Sequence, residues 1–183
     1  MFAAHMDSIG LMVTHITDEG FLRVGKLGGI SPRDMLGIPV RFQNGVMGMV
    51  YEDDELGDVK REMGHLFIDI GAKNAEEARE RVLVGDAAVF AAFTNQSGHA
   101  LISPYLDNRV SCLALLWAME LLEETDNDLY FVFTTQEEVG TRGAQTAAYA
   151  IDSDYAVIAD VTIADDLPGS KHTCSSKCGG GAA

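Results

Sequence analysis

The chain has 183 residues, of which 13 are basic and 28 are acidic, so its formal net charge is −15. This charge argues against a nucleic-acid-binding protein, because phosphates would be repelled, and the apolar runs are too short to span a membrane. The length predicts one domain, or one domain with a small insert, and the hydrophobic fraction of 47% is ample for a folded core. Three cysteines, an odd number, provide no disulfide framework and predict a cytoplasmic protein.

The first half of the chain predicts short strands joined by tight turns. Thr17–Gly20 is a hairpin turn signal, and Asn44-Gly45 predicts a hairpin turn of type I′. Asn74 is a predicted N-cap for a short helix, and we interpret Gly28-Gly29 as a turn. The predicted strands cover residues 9–14, 21–24, 38–44, 46–51, 65–70 and 88–93. Many short strands with one short helix indicate a small β-barrel or sandwich.

The second half of the chain has a different pattern. Asp107 or Asn108 begins a predicted helix, and the helix is followed by a strand at 129–133, a helix near 144–150 and a strand at 156–159. The predicted apolar stripe of the first helix has i, i+3, i+4, i+7 spacing and consists of Val110, Leu113, Ala114, Trp117 and Leu121. This alternation of helices and strands is typical of an α/β sheet.

Acidic residues and one histidine stand at the edges of several apolar elements. The residues concerned are His5, Asp7, Asp107, Glu137, Glu138 and Asp160. Because ligands of open α/β sheets lie beyond the carboxyl ends of the strands, these side chains are placed where a bound ion would be. Imidazole with carboxylates is the ligand mix of a zinc, cobalt or manganese site. Taken alone, Glu137-Glu138 is better explained as a solvated pair in a surface turn.

Four segments in order resemble motifs of the tetrahedral, or glutamyl, aminopeptidases, which are dinuclear metallopeptidases also labelled cellulase M or endoglucanase. The segments are Ala4-His5-Met6-Asp7-Ser8-Ile9-Gly10, Leu106-Asp107-Asn108-Arg109, Thr135-Gln136-Glu137-Glu138-Val139-Gly140 and Asp160-Val161-Thr162. The resemblance covers essentially the whole chain. It implies an α/β zinc-peptidase-like core, residues 1–10 and 89–183, with an inserted β-rich, PDZ-like dimerisation domain at residues 11–88.

The resemblance also implies a role for each site residue. Two divalent metal ions are held by His5 and Asp160 on one side and by Glu138 on the other, and Asp107 bridges them. Glu137 is the general base that acts on the water at the metal ions. Asp7 orients the imidazole of the histidine two residues before it. The implied reaction is hydrolysis of N-terminal residues from peptides, and the implied assembly is a homo-oligomer formed through the insert.

Departures from the family pattern keep other interpretations open. The family has a segment before the first histidine motif and a further metal-binding histidine near its C-terminus, so we expect a fragment that lacks both ends and has little peptidase activity. Such a fragment would be a binding or assembly module. His172, Cys174 and Cys178 form a weak zinc pattern. A glycoside hydrolase using two carboxylates is a further alternative, but it leaves the histidine motif unexplained.

Overall fold

The structure is a computed structural model that describes residues 1–54, 60–166, 168–169 and 176–181. Within these residues the strands are β1 (Phe2–His5), β2 (Gly10–Ile16), β3 (Leu22–Leu27), β4 (Pro39–Phe42), β5 (Met47–Glu52), β6 (Leu66–Asp69), β7 (Ala87–Phe90), β8 (Asn95–Ser97), β9 (Ala100–Ile102), β10 (Phe131–Thr134) and β11 (Val157–Ile158). The helices are α1 (Ala75–Arg81), α2 (Leu106–Glu120) and α3 (Arg142–Ile151). None of the helices in the described ranges has both the length and the apolarity that a membrane span requires.

The chain divides into two compact units, each made of separate stretches of sequence. The sheet unit contains Met1–Met6, Leu106–Thr135 and Gly143–Ala183. The barrel unit contains Asp7–Tyr105 and Gln136–Arg142. The domain boundaries expected from the sequence, near residues 10 and 88, stay a prediction.

The sheet unit is built on three parallel strands in the order β10-β1-β11. Phe2 pairs with both Phe131 of β10 and Val157 of β11, so β1 lies in the middle. The aromatic rings of Phe2 and Phe131 stack with their centroids 5.1 Å apart. Parallel strands separated by helices in the sequence are the arrangement expected for an α/β sheet, and this part of the predicted fold class is confirmed.

Helix α2 packs on β1 through a different face from the predicted one. Its buried residues are Asn108, Ser111, Cys112 and Leu115, and Cys112 and Leu115 contact Ala4 of β1. The predicted stripe was wrong in this respect, because Trp117 is 59% exposed and Leu121 is 81% exposed. Helix α2 is apolar around most of its circumference, so periodicity alone did not identify the face that meets the sheet.

The barrel unit contains a closed barrel of six strands in the order β2-β3-β6-β5-β4-β7, with β7 pairing back onto β2. This confirms the inserted small barrel of the predicted fold class. Its interior is filled by apolar side chains from the alternate positions of the strands. The largest of the fully buried apolar side chains are Leu11, Val13, Leu22, Val40, Val50, Leu66 and Ile68.

The hairpin between β4 and β5 differs from its prediction. The N–H of Phe42 donates to the Val46 carbonyl at 2.9 Å, and the N–H of Gly45 donates to the Phe42 carbonyl at 3.0 Å. These bonds enclose a three-residue loop, in which Gly45 has a φ of 89° and Asn44 is not in the positive-φ region. The predicted type I′ turn was therefore wrong, because a three-residue loop needs a positive φ only at its last residue.

Candidate metal centre

His5 is the last residue of β1 and is only 3% exposed. It lies in register with Thr134, the last residue of β10. The thiol of Cys112, on the buried face of α2, donates to the His5 carbonyl at 3.2 Å. Burial raises the pKa of the Cys112 thiol, so this group remains a neutral hydrogen-bond donor. Strand pairing and the helix together fix the backbone that carries the imidazole.

Two carboxylates approach the ring of His5. Its Nε2 atom is 3.1 Å from Oδ1 of Asp107 and 3.6 Å from Oδ1 of Asp160. Asp107 is at the start of α2, and Asp160 follows β11 by two residues. Their side chains are 59% and 46% exposed, whereas the imidazole is buried. The sheet unit therefore brings together three of the four metal ligands that the sequence predicted.

The donor set and its spacing fit a divalent metal ion. One imidazole nitrogen and two carboxylate oxygens lie within 4.8 Å of one another. Zinc binds such donors at roughly 2.0–2.2 Å, so two ligands of one ion are separated by less than about 4.4 Å. The distances from His5 to both aspartates satisfy that limit. A bound cation would also compensate the charge of the two neighbouring carboxylates.

Asn108 is a site residue that the sequence analysis missed. Its side chain is completely buried, and Nδ2 donates to the carbonyl oxygen of Ala159 at 2.9 Å. Asn108 follows Asp107, and Ala159 precedes Asp160, so one side-chain-to-backbone hydrogen bond links the two segments that carry the aspartates. Among the described residues, Oδ1 of Asn108 has no hydrogen-bond partner. The only signal in the sequence was a polar residue at the start of an apolar helix.

The other predicted site residues, Asp7, Glu137 and Glu138, lie together in the barrel unit. The carboxylate of Asp7 accepts hydrogen bonds from the backbone N–H of Glu137, at 3.1 Å, and from that of Glu138, at 3.3 Å. Asp7 is separated from these residues by about 130 positions in the chain. The sequence predicted that Asp7 orients His5, and that role stays a prediction. The structure adds a second role, in which Asp7 fixes the backbone of the Glu137-Glu138 pair.

The zinc pattern near the C-terminus falls mostly outside the described residues. His172 and Cys174 lie outside them, and Cys178 is an exposed free thiol.

Comparison with known proteins places these residues in a family. All of the chain, residues 1–183, matches the M42 glutamyl aminopeptidase family. A lysyl aminopeptidase of Pyrococcus furiosus is 39% identical over 177 residues, which are 90% of this chain and 51% of that protein. The structure of aminopeptidase APDkam598 from Desulfurococcus kamchatkensis superimposes with a TM-score of 0.85 at 44% identity, covering 92% of this chain and 49% of that one.

A third similar protein is known for its assembly. The TET1 peptidase of Pyrococcus horikoshii, which assembles into a tetrahedron or a large octahedral shell, matches with a TM-score of 0.74 at 37% identity. The match covers 87% of this chain and 52% of that one. The chain thus spans about half the length of the relatives it matches. Since the family match extends over every residue of the sequence, the chain belongs to the M42 glutamyl aminopeptidase family.

Proposed function

We propose that the complete protein is a metal-dependent aminopeptidase and that this chain supplies most of its catalytic residues. The observation that carries the proposal is the buried imidazole of His5, with Asp107 and Asp160 at 3.1 and 3.6 Å from its Nε2 atom. Three such donors at the carboxyl end of a parallel sheet suit hydrolytic metal chemistry. Membership of an aminopeptidase family supports the same reaction.

Each ligand has a separate role in this proposal. His5 and Asp160 would hold one divalent ion, Glu138 would hold a second, and Asp107 would be a ligand of both. Zinc, cobalt and manganese all accept this donor set. When bound, such ions polarise the scissile carbonyl and make water a stronger nucleophile. The protein itself holds the imidazole and the carboxylates at fixed positions. For the two aspartates, Asn108 does so through the hydrogen bond from its side chain to the carbonyl of Ala159.

Glu137 is the proposed general base. A base must take a proton from the attacking water and deliver it to the leaving amine. Its carboxylate must therefore be held in place and must not bind the metal. The N–H groups of Glu137 and Glu138 both donate to Asp7, which sets the backbone of the two residues together. Successive side chains leave a backbone in different directions. One glutamate is therefore available as base while its neighbour binds metal.

The proposed substrates are peptides with a free amino terminus. A protein with a net charge of −15 and a carboxylate-rich site attracts a cationic terminal amine. The side chain that is preferred differs within the group, because the family is described as glutamyl and one relative is named a lysyl aminopeptidase. We place the enzyme in the cytoplasm because Cys112 and Cys178 are free thiols.

Self-association through the barrel unit is the proposed mode of assembly. The TET1 peptidase of similar structure forms large closed shells, which supports a homo-oligomer for the complete protein. A binding module without catalysis is less well supported, because it gives no reason for two carboxylates to surround a buried imidazole. A glycoside hydrolase needs two carboxyl groups separated by roughly 5–9.5 Å and makes no use of such a histidine.

The first prediction concerns the metal ligands. Removing His5 by His5→Ala should weaken binding of Zn²⁺, Co²⁺ or Mn²⁺ by more than about 100-fold, because loss of a supporting residue alone costs 10–100-fold. Isothermal titration of the chelator-treated chain measures the affinity and the number of ions bound. His99→Ala is the matched control, since His99 is exposed. Unchanged titrations for Asp107→Asn would contradict the shared-ligand role.

The second prediction concerns Asn108. Asn108→Ala removes the hydrogen bond from the buried Asn108 side chain to the half-buried Ala159 carbonyl, so the free energy of unfolding should fall by about 0.5–1.5 kcal/mol. Metal affinity should fall by about 10–100-fold, because the positions of Asp107 and Asp160 are no longer coupled. Denaturant unfolding and metal titration measure the two effects. Asn127→Ala, at an exposed asparagine, should change stability by less than about 0.5 kcal/mol. A stable Asn108→Ala variant with normal metal affinity would show that the residue is not a positioning residue.

The third prediction separates the two glutamates. Glu137→Gln should bind the same number of ions as the unmodified protein and hydrolyse peptides about 10²–10⁴-fold more slowly, since a base has been removed. Glu138→Gln should lose one equivalent of metal. Metal analysis by mass spectrometry and peptide hydrolysis by the complete gene product measure both. Full turnover by Glu137→Gln would rule out its role as base.

The fourth prediction tests the reaction itself. Chromogenic aminoacyl substrates with a free amino group should be cleaved by the metal-loaded complete gene product, and their N-acetylated forms should not, because acetylation removes the terminal charge. Product release measured on both sets gives the comparison. Equal cleavage of both sets would exclude an aminopeptidase. Hydrolysis of carboxymethylcellulose alone would establish the glycosidase instead.

A further inference from the structure

Gly28, the residue that follows β3, lies against the side chain of Glu138. Both residues belong to the barrel unit. A Cβ atom on Gly28 would be 3.1 Å from Cβ of Glu138 and 3.2 Å from its carboxylate oxygen Oε2. The same atom would be 2.7 Å from Cγ2 of Ile9. The Glu138 side chain therefore occupies space that is open only because residue 28 has no side chain.

The backbone of Gly28 adds a second restriction. Its φ is +86°, a conformation that residues with a side chain rarely adopt. Two other glycines in the same unit separate the two restrictions. Gly37 has a similar φ of +72° but no atom within 4 Å of a Cβ, and Gly29 has neither a positive φ nor a close neighbour. Close approach to Glu138 thus distinguishes Gly28 from both.

The contact constrains Glu138 in a way that side-chain rotation cannot relieve. The Cβ atom of a residue moves only with its backbone, so a new atom 3.1 Å away is accommodated only by a shift of a few tenths of an ångström in the backbone of Glu138 or of residue 28. The Glu138 backbone is held by the hydrogen bond from its N–H to Asp7, at 3.3 Å. A shift of that backbone would change this bond and the direction of the carboxylate.

We propose that Gly28 is a positioning residue that fixes the direction of the Glu138 carboxylate for metal binding. The inference rests on the proposed function, in which Glu138 is a metal ligand. It gives the residue after β3 a part in setting the conformation of Glu138, which belongs to the same unit. Asp7 fixes the Glu138 backbone by a hydrogen bond. Because Gly28 has no Cβ atom, the Glu138 side chain can pack against it.

The test measures cobalt binding by the chain and its variants through visible absorbance and isothermal titration. Thermal unfolding shows whether each variant is folded. Glu138→Ala should remove one cobalt site. Gly28→Ala should lower the cobalt affinity of that same site by about 10–100-fold, as expected for loss of a supporting residue. Gly37→Ala and Gly29→Ala should retain the original affinity. If Gly37→Ala weakens cobalt binding as much as Gly28→Ala, backbone strain is the cause and the proposal is wrong.

A double variant separates the contact with Glu138 from the contact with Ile9. In the double variant Gly28→Ala/Ile9→Ala, the contact at 2.7 Å with Cγ2 of Ile9 is removed. Cobalt binding can therefore be measured on this variant if Gly28→Ala alone does not fold. Persistent loss of affinity supports the proposal, and full recovery overturns it. If Glu138→Ala binds cobalt normally, the ligand role of Glu138 fails, and the role of Gly28 fails with it. If Glu138→Ala loses a cobalt ion and Gly28→Ala does not, only the role of Gly28 is wrong.

Discussion

The parallel pairing of β1 with β10 and β11 is the constraint on which the candidate metal centre depends. In a parallel sheet all strands end at the same edge, so a residue at the end of one strand is brought close to residues that follow its neighbours. His5 ends the central strand, and Asp160 follows β11 closely. Pairing of β1 with a strand on each side, and of His5 itself with Thr134 of β10, leaves the end of β1 little freedom. The imidazole is consequently buried at a fixed place at the edge of the sheet, where carboxylates from α2 and from the segment after β11 reach it.

The barrel unit contains predicted site residues as well as an apolar core. Its six strands bury a continuous set of apolar side chains, which makes it a stable support. The segment Gln136–Arg142, which carries both glutamates, is part of this unit although it follows a strand of the sheet. Asp7 binds the backbone of that segment, and Gly28 packs beside Glu138.

Local patterns in the sequence were sufficient to predict the barrel strands, the elements of the sheet unit and the chemical types at the site, but not the short β8–β9 hairpin. Alternating apolar positions and turn residues identified the barrel strands, because strand periodicity and turn propensity are properties of short segments. The alternation of helices and strands after residue 106 predicted the α/β sheet for the same reason. The histidine and carboxylates were recognisable because charged groups at the ends of apolar strands require compensation. The predicted turn type at Asn44-Gly45 was wrong, because the length of the loop depends on where strand pairing stops.

The partners of these groups were decided only by the tertiary structure. Asn108 bonds to a carbonyl 51 residues away, and Asp7 to N–H groups about 130 residues away, and no local pattern records such distances. The buried face of α2 was likewise decided by its contact with β1, since the helix is apolar on several sides. The sequence by itself therefore determined most of the elements and which groups carry charge. Strand register and close packing determined which of those groups meet, because both depend on contacts between residues that are distant in the chain.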